Sequence, residues 1–281
     1  MLGIIGGTGL YKIDGIEKMT SKQIETPFGA PSAEIILGEI SGNQVAFLPR
    51  HGASHQILPS EINFRANIWA LKAVGVRRVI SVSAVGSLKE EIHPGELVLP
   101  SQYLDWTKGK RAGTFFGDGV VAHVSTAHPT CPALTQRIKH SAEVSGVSIH
   151  SGKTYACVEG PRLGTRVERL FLKQIGCDVV GMTNVPEVFL AREAQLCYCT
   201  IAVATDYDCW LDDPSQHVTV DKVIELYRKN IDRVQGLIKQ VINGEDTHAT
   251  CDCHSSLKYA VLTDESSLTI EQKQFLAFLK E

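Results

Sequence analysis

The sequence predicts an α/β protein, a single domain with a central mixed β-sheet flanked by helices. Three observations predict it. Strand-like and helix-like segments alternate along the chain. Several strands, residues 198–203 above all, are unbroken apolar runs of the kind buried on both faces. Residues 22–49 instead carry antiparallel hairpin signals, which makes the sheet mixed. The 281 residues are ample for a buried core, and no clear boundary precedes residue 243. Residues 1–242 are read as the main domain and 243–281 as a C-terminal extension packed on it.

The first strand, residues 2–5, runs straight into Gly6-Gly7-Thr8-Gly9. Such a turn lets backbone N–H groups approach an anion, with Thr8 adding a hydroxyl; a tight turn with no ligand is the alternative. It is neither a dinucleotide fingerprint nor a Walker loop, because the spaced third glycine and the lysine–hydroxyl pair are missing. In the hairpin region residues 33–37 and 44–48 are short strands, and the second delivers Pro49-Arg50-His51-Gly52. The fixed donor fork of an arginine at a strand end suits an oxyanion, a surface salt bridge being the plainer role. A helix over 62–74 sets Ile62, Ala66, Trp69, Ala70 and Ala73 on one face.

A strand over 79–84 then brings Ser83 and Ala84 to its carboxyl end, and 97–100 continue the sheet pattern. Residues 103–130 show no regular period; so long an irregular stretch in a compact domain is usually a lid or a subunit contact. A helix (132–145), a strand (154–158), a turn (159–163), a helix (165–175) and a strand (179–181) follow, then Met182-Thr183-Asn184 and a helix over 187–193. The apolar run 198–203 opens into Ala204-Thr205-Asp206-Tyr207-Asp208-Cys209-Trp210. Two carboxylates thus stand at the carboxyl end of a buried strand, where ligands gather in α/β sheets; an ordinary solvated loop is the alternative. Val220, Val223, Ile224, Tyr227, Ile231, Val234, Ile238 and Val241 mark an amphipathic helix whose stripe reads mostly as core. A polar linker (243–256) and a short helix after Thr269 complete the chain.

The net charge of −3 gives no reason to expect nucleic acid as a partner, and no apolar stretch is long enough for a membrane span. The first residues lack the basic and long apolar regions of a signal peptide, so the cytoplasm is expected. Most of the eight cysteines lie in apolar or mixed runs and fit reduced core thiols. Cys251-Asp252-Cys253-His254 is read as structural thiols or a disulfide; no metal is expected, since no second ligand pair is spaced for it.

The strand ends thus collect hydroxyls (Thr8, Ser83, Thr183), Arg50, His51 and two aspartates, a phosphate cradle beside an acid. On these residues the chain resembles the nucleoside phosphorylase family in its trimeric class. The stretches that carry the resemblance are Gly6–Gly9, Thr26-Pro27-Phe28-Gly29, Pro49–Gly52, Asn67-Ile68-Trp69-Ala70-Leu71-Lys72, Gly86-Ser87-Leu88, Glu159-Gly160-Pro161-Arg162, Met182-Thr183-Asn184-Val185-Pro186-Glu187 and Ala204–Trp210. They stand in matching order across residues 1–242.

The resemblance implies phosphorolysis of 5′-methylthioadenosine to adenine and 5-methylthioribose 1-phosphate, a salvage reaction for methionine and purines. A 6-oxopurine nucleoside such as 5′-methylthioinosine is the alternative substrate, and a non-catalytic nucleoside-binding protein is the reading from another class. The family pattern places phosphate against Thr8, Arg50, His51, Ser83, Ala84 and Thr183. It places the purine against Leu163, Asp206 and Asp208, and the ribose and 5′ group against Met182, His55, His123, Val220, Val223 and Ile224. Asp206 becomes the general acid at purine N7, its pKa raised by burial. Leu163 departs from the pattern, standing where adenosine-type members usually stack a phenylalanine on the base. Inorganic phosphate is the co-substrate and no cofactor is implied. The partners implied are the nucleoside, phosphate and copies of the same chain, as a homotrimer with a hexamer as the alternative; His123 would reach the site of a neighbouring subunit.

Overall fold

The structure is a computed structural model, and it describes residues 1–7, 10, 15–213, 219–244 and 250–281, apart from the side chain of Lys222. Nine strands are present among them: β1 (Leu2–Gly6), β2 (Glu17–Lys22), β3 (Ile35–Ile40), β4 (Asn43–Pro49), β5 (Arg78–Ser87), β6 (Leu97–Trp106), β7 (Ile149–Val158), β8 (Val179–Gly181) and β9 (Cys197–Asp206). Six α-helices accompany them: α1 (Phe64–Ala73), α2 (Pro132–Val144), α3 (Arg166–Gln174), α4 (Asn184–Glu193), α5 (Val220–Asn243) and α6 (Ile270–Lys280).

The strands form one mixed sheet in the order β2-β3-β4-β1-β5-β8-β7-β6-β9, and β9 also pairs with β5. That extra pairing closes β5, β8, β7, β6 and β9 into a ring, so the sheet is half open and half barrel. Strands β1, β4, β5 and β9 are mutually parallel through their neighbours, whereas β8 runs against β5 and β6 against β9. All ten residues of β9 are buried, because one strand pairs on both edges and is covered on both faces. This is why its sequence is mainly apolar, with Thr200, Thr205 and Asp206 as its polar members.

Helices α1 and α4 cover one side of the sheet, with Ile68, Leu71, Val188 and Ala191 in a core that includes Ile5 and Tyr198. Helices α2 and α5 cover the other, with Leu134, Ile138, Val234 and Ile238 against Ile80 and Ile201. Local chemistry starts these helices. Asn63 caps α1 through Ala66 N–H, and Thr165 with Glu168 forms a capping box on α3. Residues 250–281 fold back on the domain: Leu257 and Leu279 are buried in the α1–α4 core, and Phe278 stacks on Trp69 at 4.0 Å. No described helix is long and apolar enough to cross a membrane.

Three expectations need correction. Strand β2 was not predicted, because all six of its residues are exposed and its polar sequence carries no alternation. The stretch taken as irregular from residue 103 begins with four residues of β6, held by parallel pairing to β7 as far as Trp106. The stripe of α5 is core only in its second half, where Val234, Leu237, Ile238 and Val241 are buried. At its start Val220 is 61% exposed and Ile224 45%.

Candidate active site

A cleft of about 680 Å³ opens at the carboxyl ends of β1, β4, β5 and β9, within the size range of small-molecule sites. Gly7, Arg50, His51, Ser83, Ala84 and Thr183 line it, together with Gly86, Leu163, Thr205, Asp206 and Asp208, and with His55, Met182, Val220, Val223 and Ile224. A smaller cleft of about 360 Å³ beside it is walled by Trp106, Lys108 and the outer face of α3, and it holds none of the strand-end hydroxyls.

The acid end is built by a register shift. Strands β5 and β9 pair evenly up to Val85↔Ala204, then slip so that Gly86 faces Asp206. Asp206 is buried; its Oδ1 accepts the Asp208 N–H at 2.7 Å and its Oδ2 lies 2.7 Å from Thr205 Oγ1. Desolvation disfavours its charged form and the Asp208 carboxylate adds repulsion. Together they outweigh these hydrogen bonds and the attraction of Arg169, pushing the Asp206 carboxyl up to about 6. Thr205 Oγ1 also reaches Val85 O at 3.2 Å. A carbonyl only accepts, so when Thr205 donates there its oxygen is left to accept the proton of a neutral Asp206.

Asp208 differs from its neighbour. Arg169 Nε donates to its Oδ2 at 2.6 Å, and both side chains are buried. The two aspartates are thus separated by one guanidinium: Arg169 is bound to Asp208, while burial raises the Asp206 carboxyl. Gly86 makes room for both. A Cβ there would stand 3.0 Å from Asp208 Oδ2 and 3.2 Å from Asp206 Oδ1.

At the other end, Ser83 Oγ is buried and has no hydrogen-bond partner among the described residues. A buried hydroxyl left unpaired is costly in isolation, which points to a polar ligand. Thr183 opens α4 without a side-chain capping bond. The loop that carries Met182 and Thr183 is clamped by Arg111, whose Nη1 donates to Met182 O at 2.8 Å and Val185 O at 2.6 Å.

Arg50 is 1% exposed and is not a surface salt-bridge residue. Its Nε and Nη2 donate to both oxygens of Glu187 at 2.7 and 2.9 Å, Nη2 also to Ser81 Oγ and Nη1 to Val82 O. Burial opposes its charge, but the Glu187 carboxylate holds it firmly protonated, above the ordinary arginine range. Four of its five N–H groups are used among the described residues, which leaves an Nη1–H at the cleft. His51 gives its Nδ1 proton to Ile57 O at 2.9 Å and stacks on His55 at 4.5 Å. Desolvation, with Arg50 and His55 nearby, brings its pKa down to about 4, so the ring is neutral and Nε2 is an acceptor.

Two expected residues are not among the described lining of the cleft. Thr8 lies outside the described residues. His123 is exposed, its backbone N–H bound to Ala260 O, and it is not among the lining residues of this chain. Leu163 sits at the rim, 39% exposed. The sequence reading missed Thr205, Arg169, Arg111 and Glu187 as site-building residues. Arg169 carries no local signal, being one charge on an amphipathic helix. Gly86 could have been singled out, since a glycine within a buried strand marks a close approach.

The Phosphorylase superfamily matches residues 1–243. The S-methyl-5′-thioadenosine phosphorylase of Geobacter sulfurreducens is 46% identical over 276 residues, covering 98% of this chain and 96% of its own length. That of Hyperthermus butylicus is 49% identical, covering 93% and 95%. Among solved structures, a methylthioadenosine phosphorylase from an antarctic soil metagenomic library superposes with a TM-score of 0.92 at 44% identity, over 99% of this chain and 98% of that one. A methylthioadenosine phosphorylase of Schistosoma mansoni in complex with adenine gives 0.82 at 37% identity, over 86% and 90%.

Proposed function

The chain belongs to the phosphorylase superfamily, and from that premise we propose that its cleft performs the phosphorolysis of 5′-methylthioadenosine, yielding adenine and 5-methylthioribose 1-phosphate. The observation that carries this reading is that one cleft holds Asp206, whose carboxyl burial pushes up to about 6, together with a buried Ser83 hydroxyl that has no partner among the described residues. Relatives that span nearly the whole of both chains bear that activity in their names.

Inorganic phosphate sits against Ser83, Thr183 and the backbone of Gly7 and Ala84, with the remaining Nη1–H of Arg50 as a single charged donor. Because Glu187 offsets most of the Arg50 charge, the anion is positioned without being held so tightly that its oxygen loses nucleophilicity. His51 Nε2 accepts from the hydroxyl of a hydrogen phosphate or of the ribose. Phosphate oxygen attacks the anomeric carbon, the glycosidic C–N bond breaks, and its electron pair moves onto the purine. Asp206 delivers its proton to N7 as that charge develops, and its other oxygen accepts from the 6-amino group. Thr205 then turns its hydroxyl from Val85 O to the new carboxylate. General acid catalysis of this kind contributes about 10²–10⁴-fold.

Val220 and Ile224 support the methylthio assignment, being apolar, exposed in this chain and part of the cleft lining. A methylthio group covers them, whereas a 5′-hydroxyl would forfeit its hydrogen bonds there. The preference is worth about 1–3 kcal/mol, the usual range for one such group.

The working enzyme is a cytoplasmic homotrimer acting in salvage. Trp106, Val167, Phe171 and Ile175 form an exposed apolar strip beside the cleft that a neighbouring copy would cover, and His123 would enter that neighbour's site. The eight unbonded cysteines suit a reducing compartment. Omitting phosphate is the direct test of the reaction class: adenine release should stop, and release at an undiminished rate would make the enzyme a hydrolase.

A further inference from the structure

Four sulfurs from distant parts of the sequence meet on the side of the molecule away from the cleft. Cys131 is the N-cap of α2, Cys197 opens β9, and Cys251 and Cys253 belong to the segment that leads back from α5. Their Sγ atoms all lie within 4.8 Å of one another; three of the residues are buried and Cys251 is half-buried. All four are free thiols, and none lines the cleft. The absence of a second ligand pair, the reason for expecting no metal, therefore does not hold in three dimensions: β9 and α2 bring that pair to the Cys-x-Cys turn.

The size of the cluster is informative. Four thiolates bound to one zinc ion at about 2.3 Å stand about 3.8 Å apart at the corners of a tetrahedron. Cys197 and Cys251 are 3.5 Å apart and no pair exceeds 4.8 Å, within about 1 Å of that cage. A polynuclear iron–sulfur cluster would hold its cysteines around a larger body.

The surroundings suit a centre with two net negative charges. Leu134 N–H, in the first turn of α2, donates to Cys131 Sγ at 3.4 Å. Arg192 Nη1 donates to Cys253 Sγ at 3.4 Å, and Asp252, between the two cysteines, fixes that guanidinium at 3.0 and 3.1 Å. His254 Nδ1 is tied to Gln195 O at 2.8 Å, which turns Nε2 toward Cys197 Sγ at 3.5 Å. The Leu134 and Arg192 N–H donors aimed at sulfur are the kind of supporting contact that orients metal thiolates.

We propose that Cys131, Cys197, Cys251 and Cys253 form a closed tetrahedral zinc site that fastens the C-terminal segment to α2 and β9. Four protein ligands leave no open position, so the role is structural. The segment so fastened carries Leu257, Leu279 and the Phe278 ring that stacks on Trp69. The site stands independently of the reaction assigned to the cleft.

The test is metal analysis of the full chain, purified with a reductant and without chelator. About one zinc per chain is expected, released in step with thiol modification by an organomercurial. Cobalt refolded in its place should give the visible bands of a tetrahedral tetrathiolate. The Cys251→Ser/Cys253→Ser protein should lose the zinc, and protease should cut its C-terminal segment faster than that of the parent. If the variant does not fold, the parent's zinc content and cobalt spectrum decide. A folded parent with no zinc, with stoichiometric iron, or with an intact mass lowered by the hydrogens lost in disulfide formation would overturn the proposal.

Discussion

Replacing Asp206 by asparagine should stabilise the ligand-free protein while disabling it. The Asp206 carboxyl is shifted from 3.8 to about 6, about two units at 1.36 kcal/mol each, so carrying its charge costs the fold about 3 kcal/mol. The sign follows from proton binding. Between pH 4 and 6 the folded state holds a proton that the unfolded chain has released, so stability falls as pH rises, and the full loss is present above pH 6. Asparagine copies the neutral acid: its Oδ1 accepts the Asp208 N–H and its Nδ2 donates to Thr205 Oγ1. At pH 8 the variant should melt on the order of 5 °C above the parent at equal protein concentration. At pH 4 the two should coincide. Activity on 5′-methylthioadenosine should fall by about 10²–10⁴-fold. A melting difference that does not vary with pH would refute the buried-acid reasoning even if activity were lost.

Three further predictions test the surroundings of that acid. Arg169→Met removes the cation that attracts the charged form of Asp206, so the alkaline limb of the kcat/KM profile should move to higher pH; it should also destabilise by about 3–5 kcal/mol, because Asp208 is left buried and unpaired. Gly86→Ala inserts a methyl 3.0 Å from Asp208 Oδ2 and should lower kcat by on the order of 10²-fold, with Tm the control for folding. Ser83→Ala should raise the KM for phosphate about tenfold or more, as loss of a hydrogen bond to an anion does, while the KM for the nucleoside stays near its parent value in steady-state assays.

How far the sequence could be read follows from where its signals are local. Asp206 was legible because β9 is buried along its whole length, so an unbroken apolar run points at the two carboxylates. The hydroxyl at Ser83 was legible in the same way at the end of β5. The division of labour between the aspartates was not, since Arg169 reaches Asp208 from a different element and nothing in its own neighbourhood marks it. Arg50 was recognised as an oxyanion-binding candidate but not as half of a buried ion pair, because Glu187 comes from far along the chain and only the closed sheet brings them together. The four clustered cysteines belong to the same class: a Cys-x-Cys turn is visible in one line of sequence, while Cys131 and Cys197 are joined to it only by the packing of α2 on β9. In the first half of α5 periodicity alone pointed to core, and only the family resemblance placed Val220, Val223 and Ile224 at the site. The helix's apolar stripe is continuous, yet Val220 and Ile224 face the cleft rather than the core, and periodicity does not say what covers a face.

The comparison of 5′-methylthioadenosine with 5′-methylthioinosine, each with phosphate and followed by purine absorbance, bears most directly on the central claim. The adenine nucleoside should be phosphorolysed faster, because Asp206 both accepts from a 6-amino group and protonates N7, and Asp206→Asn should narrow or reverse the ratio. Preference of the parent enzyme for the inosine compound would contradict that claim and give Leu163, at the rim of the base site, the decisive role instead.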